Sequence, residues 1–240
     1  MKKLAWIFKK LFNVRAWGRY VRELPAYLRG YALATTAWGN KMFVPFPEFR
    51  SVVEKGYIEG GEEDVTAYFD KTITDRDVFF DIGANAGFYT LLANSKGAEV
   101  HSFEPFPPTF ALLKKNVKRN NRLRKIAVHQ VAVSDKNGVV YMEKKERLGL
   151  SQISEKGTIQ VPSLTLDQFP VVPTIMKVDV EGHELQVFKG GEKMLRKYMP
   201  IIVAEGSPEI VEFLTSLGYK SKLMGMDPQH AGNYLFTSVL

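Results

Sequence analysis

Between residues 77 and 220 the chain alternates short unbroken apolar runs with longer stretches of helical period. "DVFFDIG", "AEVHSFEP", "IAVHQVAVS", "TIMKVDV" and "PIIVAEG" each read as a buried strand. "FYTLLANSK", "PTFALLKKNVKRNN", "ELQVFKGGEKMLRKY" and "PEIVEFLTSLG" read as the helices between and after them. Apolar strands alternating with helices predict an α/β fold with a mostly parallel sheet, doubly wound with helices on both faces. "YKSKLMGM" and "NYLFTSV" predict a closing C-terminal antiparallel hairpin, and "GVVYMEKK" and "TIQVPSL" short strands inside a polar insertion. Upstream, "VPFPEF" and "EKGYIEGGEED" are loop-like, and residues 65–71 are expected to be helical.

The first residues follow a different pattern. Leu4, Ile7, Phe8 and Leu11 fall on one helical face, with Lys2, Lys3, Lys9 and Lys10 opposite. Lys9 and Lys10 interrupt the apolar run too early for a signal-peptide core of about 7–15 residues. With Phe8 on its apolar side, this stretch reads either as a helix lying on a membrane surface or as an arm packed on the body or on a second subunit. The expected layout is a basic arm over 1–40, a connector on the acceptor side over 41–76 and a catalytic domain over 77–240.

Charge sharpens that division. The net charge is +7. Residues 1–40 hold eight basic side chains and one acid, Glu23, which is +7; the remainder has 25 of each sign. A neutral body argues against a nucleic-acid substrate, whose enzymes carry positive charge beside the active site. With no cysteine, disulfides, zinc–thiolate sites and thiol catalysis are excluded. No stretch reaches the roughly 18 apolar residues of a spanning helix. A cytoplasmic protein is expected, peripheral to a membrane if the arm engages lipid. Oligomeric state is not readable.

Candidate chemistry begins at "FFDIGANAGFYT". A strand ends at Asp81, glycines 83 and 87 permit close approach of backbone to a ligand, and a helix starts at Phe88 with free N–H groups suited to an anion. A dinucleotide site needs G-x-G-x-x-G, but Asn85 stands at the second glycine, and no Walker A lysine follows. Glu104 ends the next strand, 23 positions after Asp81, close to the roughly 20-residue offset of an acid that binds ribose hydroxyls. Together these features fit an adenosine bearing a small charged group, as in S-adenosylmethionine. Glu104 is read as a strand-tip acid outside the core.

"DIGANAGFYTLLA", "FEPFPPTFALLKKN", "AVSDKNG" and "MKVDVEGHELQVFKGGEKML" resemble, in order and spacing, the FkbM-type S-adenosylmethionine-dependent methyltransferases over about residues 77–220. The resemblance implies a class I methyltransferase (Rossmann-like) fold with a seven-stranded sheet. It implies donor contacts at Asp81, Gly83, Asn85 and Gly87, at Phe88, Tyr89 and Thr90 of the helix start, and at Glu104 with Pro105 and Phe106. "VAVSD" matches the adenine-lining segment, which brings in Ala132 and Ser134.

"KVDVEGHE" then supplies the chemistry. Asp179 is expected at a strand tip beside the donor, with Glu181, His183 and Glu184 following. Methyl transfer to a hydroxyl needs an oriented oxygen and a base. His183 is suited by its ordinary pKa near 6.5, with Asp179 and Glu181 as rivals. Lys177, within the strand, is expected to pair with a carboxylate. A divalent ion held by these oxygens is the minority reading, and the zincin pattern fails for want of a second histidine.

No D/N-P-P-Y/F motif follows the strand, which favours an oxygen acceptor. The expected activity is O-methylation of a hydroxyl on a sugar, a glycolipid or another small natural product. The alternatives are the same fold acting on RNA and a non-catalytic module docking on membranes or partners. The acceptor pocket is expected from residues 40–76, the loop 144–162 and the turn "MDPQHAG".

Overall fold

The computed structural model describes residues 31–45, 63–120, 126–143, 152–154, 156–225 and 232–238. The proposed amphipathic helix and much of the expected acceptor pocket lie outside the described residues.

Two strands, β1 (Tyr31–Thr35) and β2 (Lys41–Pro45), form an antiparallel hairpin that crosses the boundary drawn at residue 40. Helix α1 (Glu63–Thr72) follows, where residues 65–71 were expected to be helical. The alternation from residue 77 is then realised as β3 (Val78–Ile82), α2 (Phe88–Ser95), β4 (Glu99–Phe103), α3 (Pro107–Arg119) and β5 (Ile126–His129). After an insertion come β10 (Ile175–Val178), α4 (Glu184–Lys189), α5 (Glu192–Tyr198), β11 (Ile201–Glu205), α6 (Pro208–Ser216), β12 (Lys220–Gly225) and β13 (Asn233–Thr237).

The main sheet has seven strands in the order β12-β13-β11-β10-β3-β4-β5. Strands β11, β10, β3, β4 and β5 are parallel, and β13 and β12 run antiparallel as the expected closing hairpin. Successive residues of one strand point to opposite faces. Phe79 therefore joins a core with Phe69 of α1 and Leu91 of α2, while Phe80 joins another with Phe188 of α4, Leu195 of α5 and Leu214 of α6. This is the doubly wound architecture. Chain order reverses between β3 and β10, so the crevice beyond their carboxyl ends is where a ligand is expected in such sheets.

The structure corrects the sequence reading in two places. "IAVHQVAVS" is not one strand: β5 stops at His129, and β6 (Ala132–Val133) belongs to a separate four-stranded sheet with β7 (Gly138–Glu143), β8 (Gln152–Ile153) and β9 (Ile159–Leu164). That small sheet has its own core, in which Phe106 packs with Ala132, Met142 and Val161. The long helix expected over "ELQVFKGGEKMLRKY" is broken at Gly190 and Gly191 into α4 and α5. A β-carbon at Gly190 would lie 1.9 Å from the carbonyl oxygen of Ser134, so the break lets the chain close on the β6 segment.

Candidate active site

At the switch point the turn after β3 is held from both sides. Gly83, Asn85 and Gly87 all take positive φ, at 81°, 50° and 90°. A β-carbon at Gly83 would fall 1.7 Å from the carbonyl oxygen of Asp179, and one at Gly87 would meet Leu113 of α3 at 2.6 Å. Gly83 is thus required by backbone packing and Gly87 chiefly by its positive φ, whatever ligand the turn also admits. Gly83 and Ala84 donate their N–H groups to the Phe103 carbonyl, each at 3.0 Å, which ties the turn to β4.

Glu104 clamps the same turn. One carboxylate oxygen accepts from the Asn85 N–H and the other from the Phe106 N–H, both at 2.9 Å. Glu104 is only 7% exposed, so the reading of it as an acid outside the core is corrected. Burial pushes its pKa up to about 7 against the pull of those two N–H groups, and Asp81 and Asp179 push the same way. Two bonds leave unused lone pairs on a carboxylate. Glu104 can therefore brace the turn and still accept from a ligand hydroxyl.

Asp81 is farther inside, 2% exposed, and accepts from Thr90 Oγ1 at 2.6 Å; Thr90 Oγ1 also meets Ser102 Oγ at 2.7 Å. Burial raises the Asp81 pKa to about 6, while the Thr90 bond and the Lys177 charge lower it. Tyr89 is buried with its hydroxyl 3.2 Å from Thr66 Oγ1, and Phe88 is buried in the same core as Leu91. Of the residues expected around the donor, Gly83, Asn85, Glu104, Pro105, Phe106, Ala132 and Asp179 line one cavity. Met142 and Ile153 of the small sheet also line it.

Lys177 pairs as expected: Nζ lies 2.6 Å from Asp179 Oδ2 and 4.7 Å from the centre of the Tyr89 ring. The loop after β10 then turns sharply, with Glu181 and Gly182 at φ 57° and 94°. Glu184 holds it by accepting from the N–H groups of Val180 at 2.9 Å and Gly182 at 3.3 Å. Non-glycine residues in this conformation cluster where surrounding structure and function impose them, and Glu181 is on the cavity wall.

His183 caps α4 with its Nε2 2.9 Å from Ser134 Oγ, and Ser134 Oγ donates to Asp135 Oδ1 at 3.2 Å. Ser134 has a single proton to give, so both bonds form together when His183 carries its proton on Nε2. Burial lowers the His183 pKa, so the ring is neutral near pH 7; the Asp135 charge opposes this. The expected adenine-side Ser134 and the expected base His183 are thus one hydrogen-bonded pair.

Sequence reasoning missed Glu205, at the end of β11. Its carboxylate lies within 4.8 Å of those of Asp179 and Glu184, a set that could hold a divalent cation. Burial first, then Asp179, Glu184 and Glu181, raise its pKa to about 7; Lys177 lowers it. The available signal was an acid closing an apolar run before glycine, in "PIIVAEG", one strand over from Asp179. Asn116 was missed too. It is fully buried in α3 and bonds the Ala86 carbonyl of the turn at 2.8 Å and both backbone groups of Phe43 on β2, at 2.6 and 2.8 Å.

Around the cavity stand a half-used carboxylate at Glu104 and two buried polar atoms, Asn85 Oδ1 and Thr109 Oγ1, that find no partner among the described residues. No described helix is long and apolar enough to cross a membrane.

Comparison with known proteins identifies the family. Residues 81–221 match the Methyltransferase FkbM domain. The hexuronic acid methyltransferase AglP of Haloferax volcanii is 27% identical over 209 residues, 82% of each chain. The 31-O-demethyl-FK506 methyltransferase FkbM of Streptomyces tacrolimicus is 46% identical over 65 residues, 26% of this chain and 24% of that protein. A crystal structure of methyltransferase FkbM from Methylobacillus flagellatus shares the fold, with a TM-score of 0.58 at 17% identity; the match covers 91% of this chain and 60% of that one. The family match spans the glycine turn, the Glu104 strand end and the Asp179 loop, and the chain belongs to the FkbM family of methyltransferases, enzymes of the class I fold.

Proposed function

We propose that the chain transfers the methyl group of S-adenosylmethionine to a hydroxyl of a sugar, a glycolipid or a comparable small natural product. The donor is the one the family implies. In this reading Glu104 takes the ribose hydroxyls, the turn from Gly83 to Gly87 and the start of α2 face the amino-acid end, and the wall of Phe106, Ala132 and Met142 takes the base.

The observation that carries a hydroxyl acceptor is the carboxylate face next to the cavity. Asp179, Glu181, Glu184 and Glu205 gather there, and the nearby Lys177 is paired with Asp179. A hydroxyl must lose its proton as its oxygen bonds to the methyl carbon and the carbon–sulfur bond breaks, so a carboxylate poised near neutrality is useful. A carboxylate acceptor would need no base. Glu205 is the proposed proton acceptor; Asp179 and Glu181 orient the acceptor, and His183 shapes the adjoining wall through Ser134. The similarity to a hexuronic acid methyltransferase supports a sugar.

The test is transfer of labelled methyl from S-adenosylmethionine to glycan and glycolipid pools. A product whose label survives both mild alkali and ribonuclease is the expected methyl ether. Alkali-labile label would mean an ester, and ribonuclease-sensitive label would mean RNA; either outcome overturns the hydroxyl reading.

A further inference from the structure

Thr109 is a buried hydroxyl in search of a partner. It lies in the first turn of α3, behind Pro107 and Pro108, where the Phe110 N–H closes on the Phe106 carbonyl at 2.9 Å. Only 2% of the residue is exposed, and Oγ1 makes no hydrogen bond among the described residues. Threonine in a helix commonly bonds back to a carbonyl one turn earlier; here it does not. A buried hydroxyl left unpaired costs about 1–3 kcal/mol, so something else must satisfy it or the fold carries a net loss.

What faces Thr109 is the cavity, which it lines beside Glu104 and Phe106. Ala132, Met142 and Ile153 make the neighbouring wall apolar. A mostly apolar slot with a few convergent polar atoms is the usual form of a small-molecule site, and those atoms set specificity. Asn85 Oδ1 is the second unpartnered polar atom on the same cavity. One of these atoms can donate or accept and the other accepts, and both are closed to water as the cavity stands.

We propose that Thr109 is a specificity-determining residue for the donor: its hydroxyl hydrogen-bonds the nucleoside half of the adenosyl ligand. The inference rests on the donor reading above and adds a contact that neither the strand–turn–helix motif nor the acid at 104 identifies. Thr109 stands with the Phe106 wall rather than with the Gly83–Gly87 turn, so its partner is the nucleoside and not the amino-acid end. A hydroxyl there discriminates a nucleoside with a matching polar edge from one without.

The test is calorimetric titration of the full chain with adenosine and with S-adenosylhomocysteine, for wild type, Thr109→Val and Thr109→Ser, together with ligand-free melting temperatures. Thr109→Val is expected to weaken both ligands by the same factor, roughly 3- to 10-fold for one lost hydrogen bond. It should also leave the ligand-free melting temperature unchanged or raised, because an unpaired buried hydroxyl has been removed. Thr109→Ser should bind as wild type does. Thr109→Ala repeats the measurement with a side chain that cannot overfill the site. Wild-type affinity in the valine and alanine variants would overturn the proposal, as would a loss confined to S-adenosylhomocysteine. If wild type binds neither ligand, the donor reading fails, and this one fails with it.

Discussion

The backbone of Gly83 lies against the carbonyl oxygen of Asp179, so close that a β-carbon at 83 would sit 1.7 Å from it. This contact joins the two motifs that the sequence separates by almost a hundred residues. Gly83→Ala must push the turn after β3 away from the loop after β10 and also place alanine at a φ of 81°. Overpacking of this kind costs about 1–3 kcal/mol. We expect a lower melting temperature together with loss of donor binding; a variant with wild-type affinity would show that the two loops need not touch.

Glu104 braces the turn with both oxygens, so alanine would test too many things at once. Glu104→Gln keeps the size but must turn an amide N–H₂ toward the N–H of Asn85 or of Phe106. Donor affinity should fall by at least tenfold while the chain still folds. Unchanged affinity in a calorimetric titration would remove Glu104 from the donor site.

Lys177 is 4% exposed and neutralises Asp179 within a group of acids. Breaking a buried pair from one side costs about 3–5 kcal/mol. Lys177→Met should therefore destabilise strongly, and Lys177→Met with Asp179→Asn should recover much of the loss in urea denaturation. If the double variant is no more stable than the single one, the pair is not the reason for the lysine.

The raised pKa of Glu205 has a definite sign. Its folded value of about 7 exceeds the ordinary 4.5, so the folded state keeps a proton that the unfolded chain has released. Glu205 thus detracts from stability as pH rises from about 4.5 to 7, and fully so above that window. Glu205→Gln should match wild type in melting temperature at pH 5 and exceed it by a few degrees at pH 8. The same variant should lose methyl transfer at every pH if Glu205 takes the acceptor proton, whereas His183→Asn should retain much of it. The reverse pattern would return the base to His183.

Much of this site is legible in the chain because strand tips and glycine turns write themselves locally. Asp81, Gly83, Gly87, Glu104 and Asp179 each end or follow an apolar run, and the register of a parallel sheet brings such ends together. The pairing of Lys177 follows from the expense of a lone buried cation. Other features depend on contacts that no local pattern records. The small sheet arises because the chain leaves the main sheet after His129, and the apolar run of "IAVHQVAVS" gives no sign of that departure. Glu205 matters because β11 lies beside β10, Asn116 because α3 passes beneath both β2 and Ala86, and His183 because Gly190 lets the chain reach Ser134.

The most direct measurement is a calorimetric titration of the chain with S-adenosylmethionine at pH 8, where Glu104 is ionised. Saturable binding of one donor per chain, weakened by Glu104→Gln and weaker at pH 6 than at pH 8, is the predicted result. Absence of heat at millimolar donor, or binding indifferent to both the substitution and the pH, would contradict it.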